Sequence, residues 1–298
     1  TRVSLITKRT KNSELWFVNN RKLESQILAY LAKLQEKYEL TIYAFILQGN
    51  HYHESIQFTQ GNRADVLRDL NSSIQRYVKV NVPSFVGGPL WGGTYKEQAL
   101  PNREDIEEWF WYCVFQPINA GLVRNLGDYP GYNFFHDAIS GIERTYELMD
   151  WTAYYKASRY NRNVKKRDFI KHYTLRFSRL PGYEALSQQK YKAAMLKKYE
   201  ERRKAVLAKL EKEGKVFPPA AVLRKVKPGA IPKNTKKTPR GGFFPVVLTL
   251  CRKTKRRFLK RYFALLDSHE AASKKYREGV LTAKFPPGTY RPPLIVAR

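Results

Sequence analysis

The sequence predicts an α+β fold, an antiparallel sheet with helices packed on it, followed by a basic and mostly helical extension. Three observations predict it. Strand-length and helix-period apolar segments alternate through the first half of the chain. Two adjacent strand-like runs, one continuously apolar and one alternating, are joined by Gly49 and Asn50 and read as an antiparallel hairpin. The charge is split: residues 1–150 hold 16 Lys+Arg against 17 Asp+Glu, whereas residues 151–298 hold 39 against 9, which accounts for the net +29. The first half is therefore expected to be an ordinary folded domain (1–150) and the second a polyanion-binding extension (151–298).

Residues 3–6 read as a short strand, followed by the basic pair Lys8 and Arg9. Residues 21–38 predict a helix, with Leu23, Ile27, Tyr30, Leu31, Leu34 and Tyr38 on one stripe. Residues 41–47 are apolar throughout and rich in β-branched and aromatic types, which predicts a strand buried on both faces. Residues 51–58 alternate: His51, His53, Ser55 and Gln57 share one face, and Tyr52, Glu54, Ile56 and Phe58 the other. A second helix is predicted over 63–80 and a strand over 94–100.

A third helix is predicted over 103–116, with Asn102 as N-cap, Asp105 at the reciprocal capping position and Pro117 ending it. Its core arc is expected to hold Ile106, Trp109, Phe110 and Cys113, and the opposite flank Asp105, Glu108, Tyr112 and Gln116. Further on, residues 184–214 read as a long basic helix and residues 226–242 as a linker. Residues 246–280 read as helix again, and the tail after Phe285 is proline-rich and extended.

Two cysteines, Cys113 and Cys251, make neither a disulfide framework nor a zinc spacing, which fits a reducing setting. No apolar run has the length of a bilayer span and no signal peptide is visible, so a cytoplasmic, nucleoid-associated protein with no membrane partner is expected. Nucleic acid is the expected polyanion, because no amphipathic segment with a clean apolar face dominates the basic half.

Two histidines one residue apart on a strand project from the same face, where their imidazoles converge on one divalent ion as readily as they face solvent. Tyr112 and Gln116, four residues apart on a helix, stack on one face, and Tyr112 falls on the polar arc of an otherwise aromatic run. Spacing alone leaves Tyr112 equally a packing residue at the edge of the core. Glu108, one turn back, reads as a solvated helix charge, and His136, His172 and His269 as structural or surface residues.

Gly49-Asn50-His51-Tyr52-His53, preceded by the run 43–48, resembles the HUH motif of single-tyrosine transposases of the IS200-like class. The run 112–123, from Tyr112 through Gln116-Pro117 to Val123, resembles the motif that follows it in REP-associated tyrosine transposases. The resemblance covers roughly residues 1–137, taking in 90–96 and 128–132, and the tail 285–290 resembles the end of a longer subgroup. It implies a ferredoxin-like sheet with the two histidines on a central strand and the tyrosine on a facing helix. It implies His51, His53 and Gln116 as ligands of Mg²⁺ or Mn²⁺, and Tyr112 as the nucleophile that cuts single-stranded or hairpin DNA through a 5′-phosphotyrosine. Gln116 stands where the family usually has Asn, and Glu54 where it prefers an apolar residue. Lys8, Arg9 and Lys96, on strands bordering the site, are the candidate DNA contacts. The basic half is expected to grip phosphates. Related proteins act as monomers or dimers, so the oligomeric state stays open. Two other readings also stay open: a domesticated DNA-binding protein that cuts poorly, and a basic structural RNA-binding protein.

Overall fold

The computed structural model describes residues 2–232 and 245–293. Strands β1 (Val3–Arg9), β2 (Thr41–Gln48), β3 (His51–Gln57) and β4 (Lys96–Leu100) form one antiparallel sheet in the order β2-β3-β1-β4. Helix α1 (Arg21–Lys37) connects β1 to β2, and α2 (Arg63–Asn81) connects β3 to β4. This order and connectivity are ferredoxin-like. The β2–β3 turn needs glycine at 49, because a Cβ there would lie 2.7 Å from Val18 Cγ1 and 2.9 Å from Leu15 Cδ2.

One face of the sheet packs on α1 and α2. Ile6, Ile42, Phe45, Leu47, Tyr52 and Ile56 meet Leu23, Ile27, Leu31, Leu67, Leu70 and Ile74, all buried. The predicted helical stripes therefore do face the sheet. The other face packs on α3 (Arg103–Val114), α5 (Phe135–Ser140) and α7 (Gln188–Lys212), with Leu5, Ile46, Phe110, Trp111, Phe134, Tyr191 and Met195 in one cluster. Strand β2 is buried on both faces, as its unbroken apolar run requires.

The predicted third helix is shorter than its sequence pattern. It ends at Val114, Phe115 leaves helical geometry as its C-cap, and a separate turn α4 (Gln116–Asn119) restarts with Pro117 in its first turn. Pro117 has no N–H to carry the ladder across. The capping box of Asn102 and Asp105 is present, yet Asp105 is not on a solvent flank: it is buried, and also accepts the Leu250 N–H at 2.9 Å. Trp111 is buried while Trp109 is only half-buried. The cause is that α3 is covered on a second side by α5 and α7, so a one-sided helical wheel misplaces its faces.

Beyond α5 comes a two-stranded antiparallel sheet of β5 (Arg144–Met149) and β6 (Ile170–Leu175), with α6 (Trp151–Ser158) between the strands. Elements on the two sides of residue 150 thus pair directly. After α7, a short α8 (Ala220–Arg224) precedes the residues 226–232. The remainder of the expected linker, 233–242, lies outside the described residues. Residues 246–248 do not begin a helix; they run along the β4 edge through Ala99 N to Val246 O and Leu248 N to Ala99 O, both 2.9 Å. The last long helix, α9, spans Arg252–Arg277. Among the described residues no helix is long and apolar enough to cross a membrane.

Glu54 lies on the α1–α2 face of β3, 1% exposed, and neither carboxyl oxygen has a hydrogen-bond partner among the described residues. Burial pushes its pKa up to about 8, so it sits in the core as a neutral acid. The folded value exceeds the ordinary 4.5, so between these pH values the folded chain keeps a proton that the unfolded chain releases. Stability should therefore fall as pH rises through this window. Glu54→Met, which removes the unpartnered oxygens at similar volume, is expected to raise unfolding free energy by about 1–3 kcal/mol near pH 8. Denaturant titrations should show that gain shrinking toward pH 4.5; a variant less stable across the range contradicts the account.

Candidate functional site

Strand periodicity and register build the site. On the face covered by α3, Gln48, His51 and Arg9 form one row across β2, β3 and β1, and Ile46, His53, Thr7 and Lys96 form the next, which continues into β4. His51 and His53 are both buried, with ring centroids 4.8 Å apart and planes at 87°. Their Nδ1 atoms are engaged: His51 with Asn50 Oδ1 at 2.6 Å and His53 with Thr7 Oγ1 at 2.8 Å. The Asn50 oxygen only accepts, so Nδ1 of His51 carries the hydrogen and Nε2 keeps its lone pair. Neither Nε2 has a hydrogen-bond partner among the described residues.

Desolvation depresses both histidines most, and the charge of Arg9 adds to it at each. His53 falls to about 3; His51 falls well below its ordinary range, with His53 also contributing. Both rings are therefore neutral near pH 7, the state in which an imidazole donates a lone pair to a cation. A hydrogen-bonded Nδ1 and a free Nε2 is the arrangement that orients a metal-binding histidine.

Tyr112 comes to this pair from α3. Its ring meets His53 edge to face with centroids 5.3 Å apart, and the tilted Trp109 ring has its centroid 4.8 Å away. The ring is half-buried, and desolvation raises the phenol pKa; Gln116 and Arg9 act in the opposite direction. Gln116 lies on α4, past the helix break, but keeps its i+4 relation to Tyr112: its Nε2 donates to the Tyr112 carbonyl at 3.2 Å. That bond uses an N–H and not the amide oxygen. Among the described residues no group of three or more His, Cys, Asp or Glu gathers anywhere, so a cation at the imidazole pair would draw further ligands from an amide, a phosphate or water.

The three basic candidates separate. Arg9 is exposed on the imidazole face beside His51, and its guanidinium has no ion-pair partner among the described residues. Lys96 is exposed on the same face in the row of His53. Lys8 is not at the site. It points to the opposite face, buried, with Nζ donating to the Gly93 carbonyl and lying 5.4 Å from the centre of the Trp91 ring. The alternation of a strand decides this, since Lys8 pairs with Tyr52 and Arg9 with His51.

Glu108 is not a free helix charge. It pairs with Arg202 of α7 at 2.7 Å, and Glu107 pairs with Lys198 at 2.6 Å and accepts from Tyr183 at 3.0 Å. His172 and His269 lie on the surface, with Glu147 at 3.3 Å and the Tyr290 carbonyl at 2.9 Å as partners, and His136 is exposed. Sequence reading missed Thr7 and Asn50 as the partners of the imidazoles. Asn50 is adjacent to His51 and so had a signal; Thr7 depends on β1–β3 register and had none.

No known protein-family model matches the sequence, and no curated protein matches it either. Among solved structures the chain is similar to a REP-associated tyrosine transposase bound to a REP hairpin, with 17% identity and a TM-score of 0.38 over 45% of this chain and 77% of the other. It is also similar to a proposed transposase of Deinococcus radiodurans R1, with 15% identity and a TM-score of 0.28 over 37% and 88%. At these values the functional reading rests on the site itself.

Nitrogen-detected NMR should show His51 as the neutral Nδ1–H tautomer, and His53 as a neutral ring that does not titrate between pH 8 and its depressed pKa of about 3. Ordinary titration of both rings near 6.5 would contradict the arrangement.

Proposed function

We propose that this chain is a single-tyrosine transposase of the HUH type, a divalent-metal-dependent enzyme that cuts and rejoins single-stranded or hairpin DNA. The observation that carries the reading is the approach of the Tyr112 ring to His53, 5.3 Å between centroids, on a helix packed across the strand of the two histidines. Residues distant in sequence, the two histidines of β3 and the tyrosine of α3, meet at one point on the sheet.

In this reading His51 and His53 hold Mg²⁺ or Mn²⁺ through Nε2, and the amide oxygen of Gln116 serves as the third protein ligand. The bound ion would polarise the scissile phosphate and offset charge in the transition state. Asn50 and Thr7 hold the imidazoles in the required orientation. The Tyr112 oxygen attacks phosphorus, the bond to the 3′ oxygen breaks, and the phenolic proton is lost as the 3′-hydroxyl gains one. The products are a 5′-phosphotyrosine and a free 3′ end, and attack by another 3′-hydroxyl reverses the step without an energy source. Burial disfavours the phenolate, so the help must come from positive charge beside the ring, and Arg9 is placed to supply part of it. Arg9 and Lys96 would also meet backbone phosphates.

Incubation with labelled hairpin DNA and Mn²⁺ should give a denaturation-resistant adduct that Tyr112→Phe abolishes. DNA binding with no adduct from the unmodified protein would favour a DNA-binding protein that has lost cleavage. Preference for structured RNA without metal dependence would favour an RNA-binding role. Thr7→Val should weaken Mn²⁺ affinity by about 10–100-fold, the usual loss when a partner of a ligating histidine is removed. Titration followed by electron paramagnetic resonance measures this; unchanged affinity would mean that Thr7 does not orient a metal-ligating His53.

A further inference from the structure

The β5–α6–β6 arm carries an aromatic surface that none of the described residues covers. Helix α6 has no buried residue. Trp151 is 49% exposed and Tyr155, one turn on, 58%. Their rings stack with centroids 5.7 Å apart and planes at 25°. Arg159 lies one further turn along the same stripe, and Lys166, on the returning 3-10 turn Lys166–Phe169, has Nζ 5.6 Å from the centre of the Trp151 ring. Tyr160, 87% exposed, follows immediately. Tyr154 instead turns inward onto Phe169 at 5.6 Å and supports the arm.

The charge around these rings has one sign. Residues 151–171 contain seven Lys and Arg against one acidic residue, Asp168, which lies 3.7 Å from Arg167. Asp150, just before the helix, is occupied as its N-cap and in a pair with Lys171 at 2.9 Å. Exposed stacked rings among cations that far outnumber the neighbouring carboxylates suit a ligand with flat π faces and a negative backbone. A second copy of the chain would bring like charge to the same place. A lipid surface would need inserted aliphatic residues, and α6 contains no Leu, Ile, Val or Met. A duplex hides its base faces.

We infer that the Trp151–Tyr155 stack and its flanking cations form a binding site for unpaired bases of single-stranded DNA, separate from the imidazole–Tyr112 site. The choice of DNA over RNA rests on the proposed transposase reading. Bases of the strand stack on the two rings, while Arg159, Lys165 and Lys166 meet phosphates.

Binding of a fluorescein-labelled oligothymidine to the full chain, followed by anisotropy in EDTA at fixed salt, tests this without cleavage. Trp151→Ala and Tyr155→Ala should each lower affinity by roughly 5- to 150-fold, the range for loss of one stacking ring. Trp151→Phe should keep most of it, with unfolding midpoints unchanged in all three. Lys165→Ala/Lys166→Ala should reduce the salt slope by roughly 0.7 per lost phosphate contact. Affinity within twofold of the unmodified chain in the two alanine variants overturns the site. So does tighter binding of duplex or of oligouridine, or alanine variants that lose binding only to phosphatidylserine vesicles. The Tyr112 adduct assay separates this outcome from the proposed function: an adduct with unchanged oligothymidine binding in the arm variants removes the arm alone, and lost binding with no adduct removes the transposase reading alone.

Discussion

Everything at the candidate site depends on how helix α3 is held against the sheet. Two histidines on a strand are a matter of periodicity; a phenol beside them requires a helix seated at one angle and one rotation. Several independent contacts supply that seat. Phe110 and Trp111 pack into the aromatic cluster with Phe134 and Phe135. Asp105 closes the capping box and also fixes Leu250, which ties the N-terminal end of the helix to the segment that runs along β4. Glu107 and Glu108 are held by Lys198 and Arg202 of α7. These pairs are partly exposed, so each contributes little stability alone. Their role is positional: they fix the rotation that turns Tyr112 toward His53.

The basic second half is thereby given two physical tasks. Part of it is structural, since α7 completes the core on the imidazole face with Tyr191, Met195 and Tyr199. Part of it faces outward with unbalanced charge, most openly on the arm around α6. Burial, meanwhile, sets the protonation of the sheet. On one face it keeps the imidazoles neutral, and on the other it keeps Glu54 protonated, so the buried polar side chains of β3 enter the core without charge.

Much of this was legible in the chain because period and capping are local. The apolar run of β2, the alternation of β3, the stripes of α1 and α2, and the Asn102–Asp105 box all express short-range rules. The shared face of His51 and His53 and the four-residue step from Tyr112 to Gln116 do so as well. What escaped was long-range. Strands β5 and β6 are half exposed, and the short alternations Tyr146–Leu148 and Tyr173–Leu175 that face the core are too brief to mark a strand on their own. The burial of Trp111 and Asp105 depends on α7 and on residue 250, far along the chain. Lys8 and Arg9 look alike in sequence, and only the register against β3 sends one to each face.

The central claim is that the two imidazoles and the Tyr112 phenol share one cation-binding cleft. Anomalous diffraction at the manganese edge from crystals grown with Mn²⁺ addresses it most directly. The account predicts one strong peak within bonding distance of Nε2 of both His51 and His53, with the Tyr112 ring beside it. A peak elsewhere on the molecule, or none at the histidines when Mn²⁺ saturates, would contradict it.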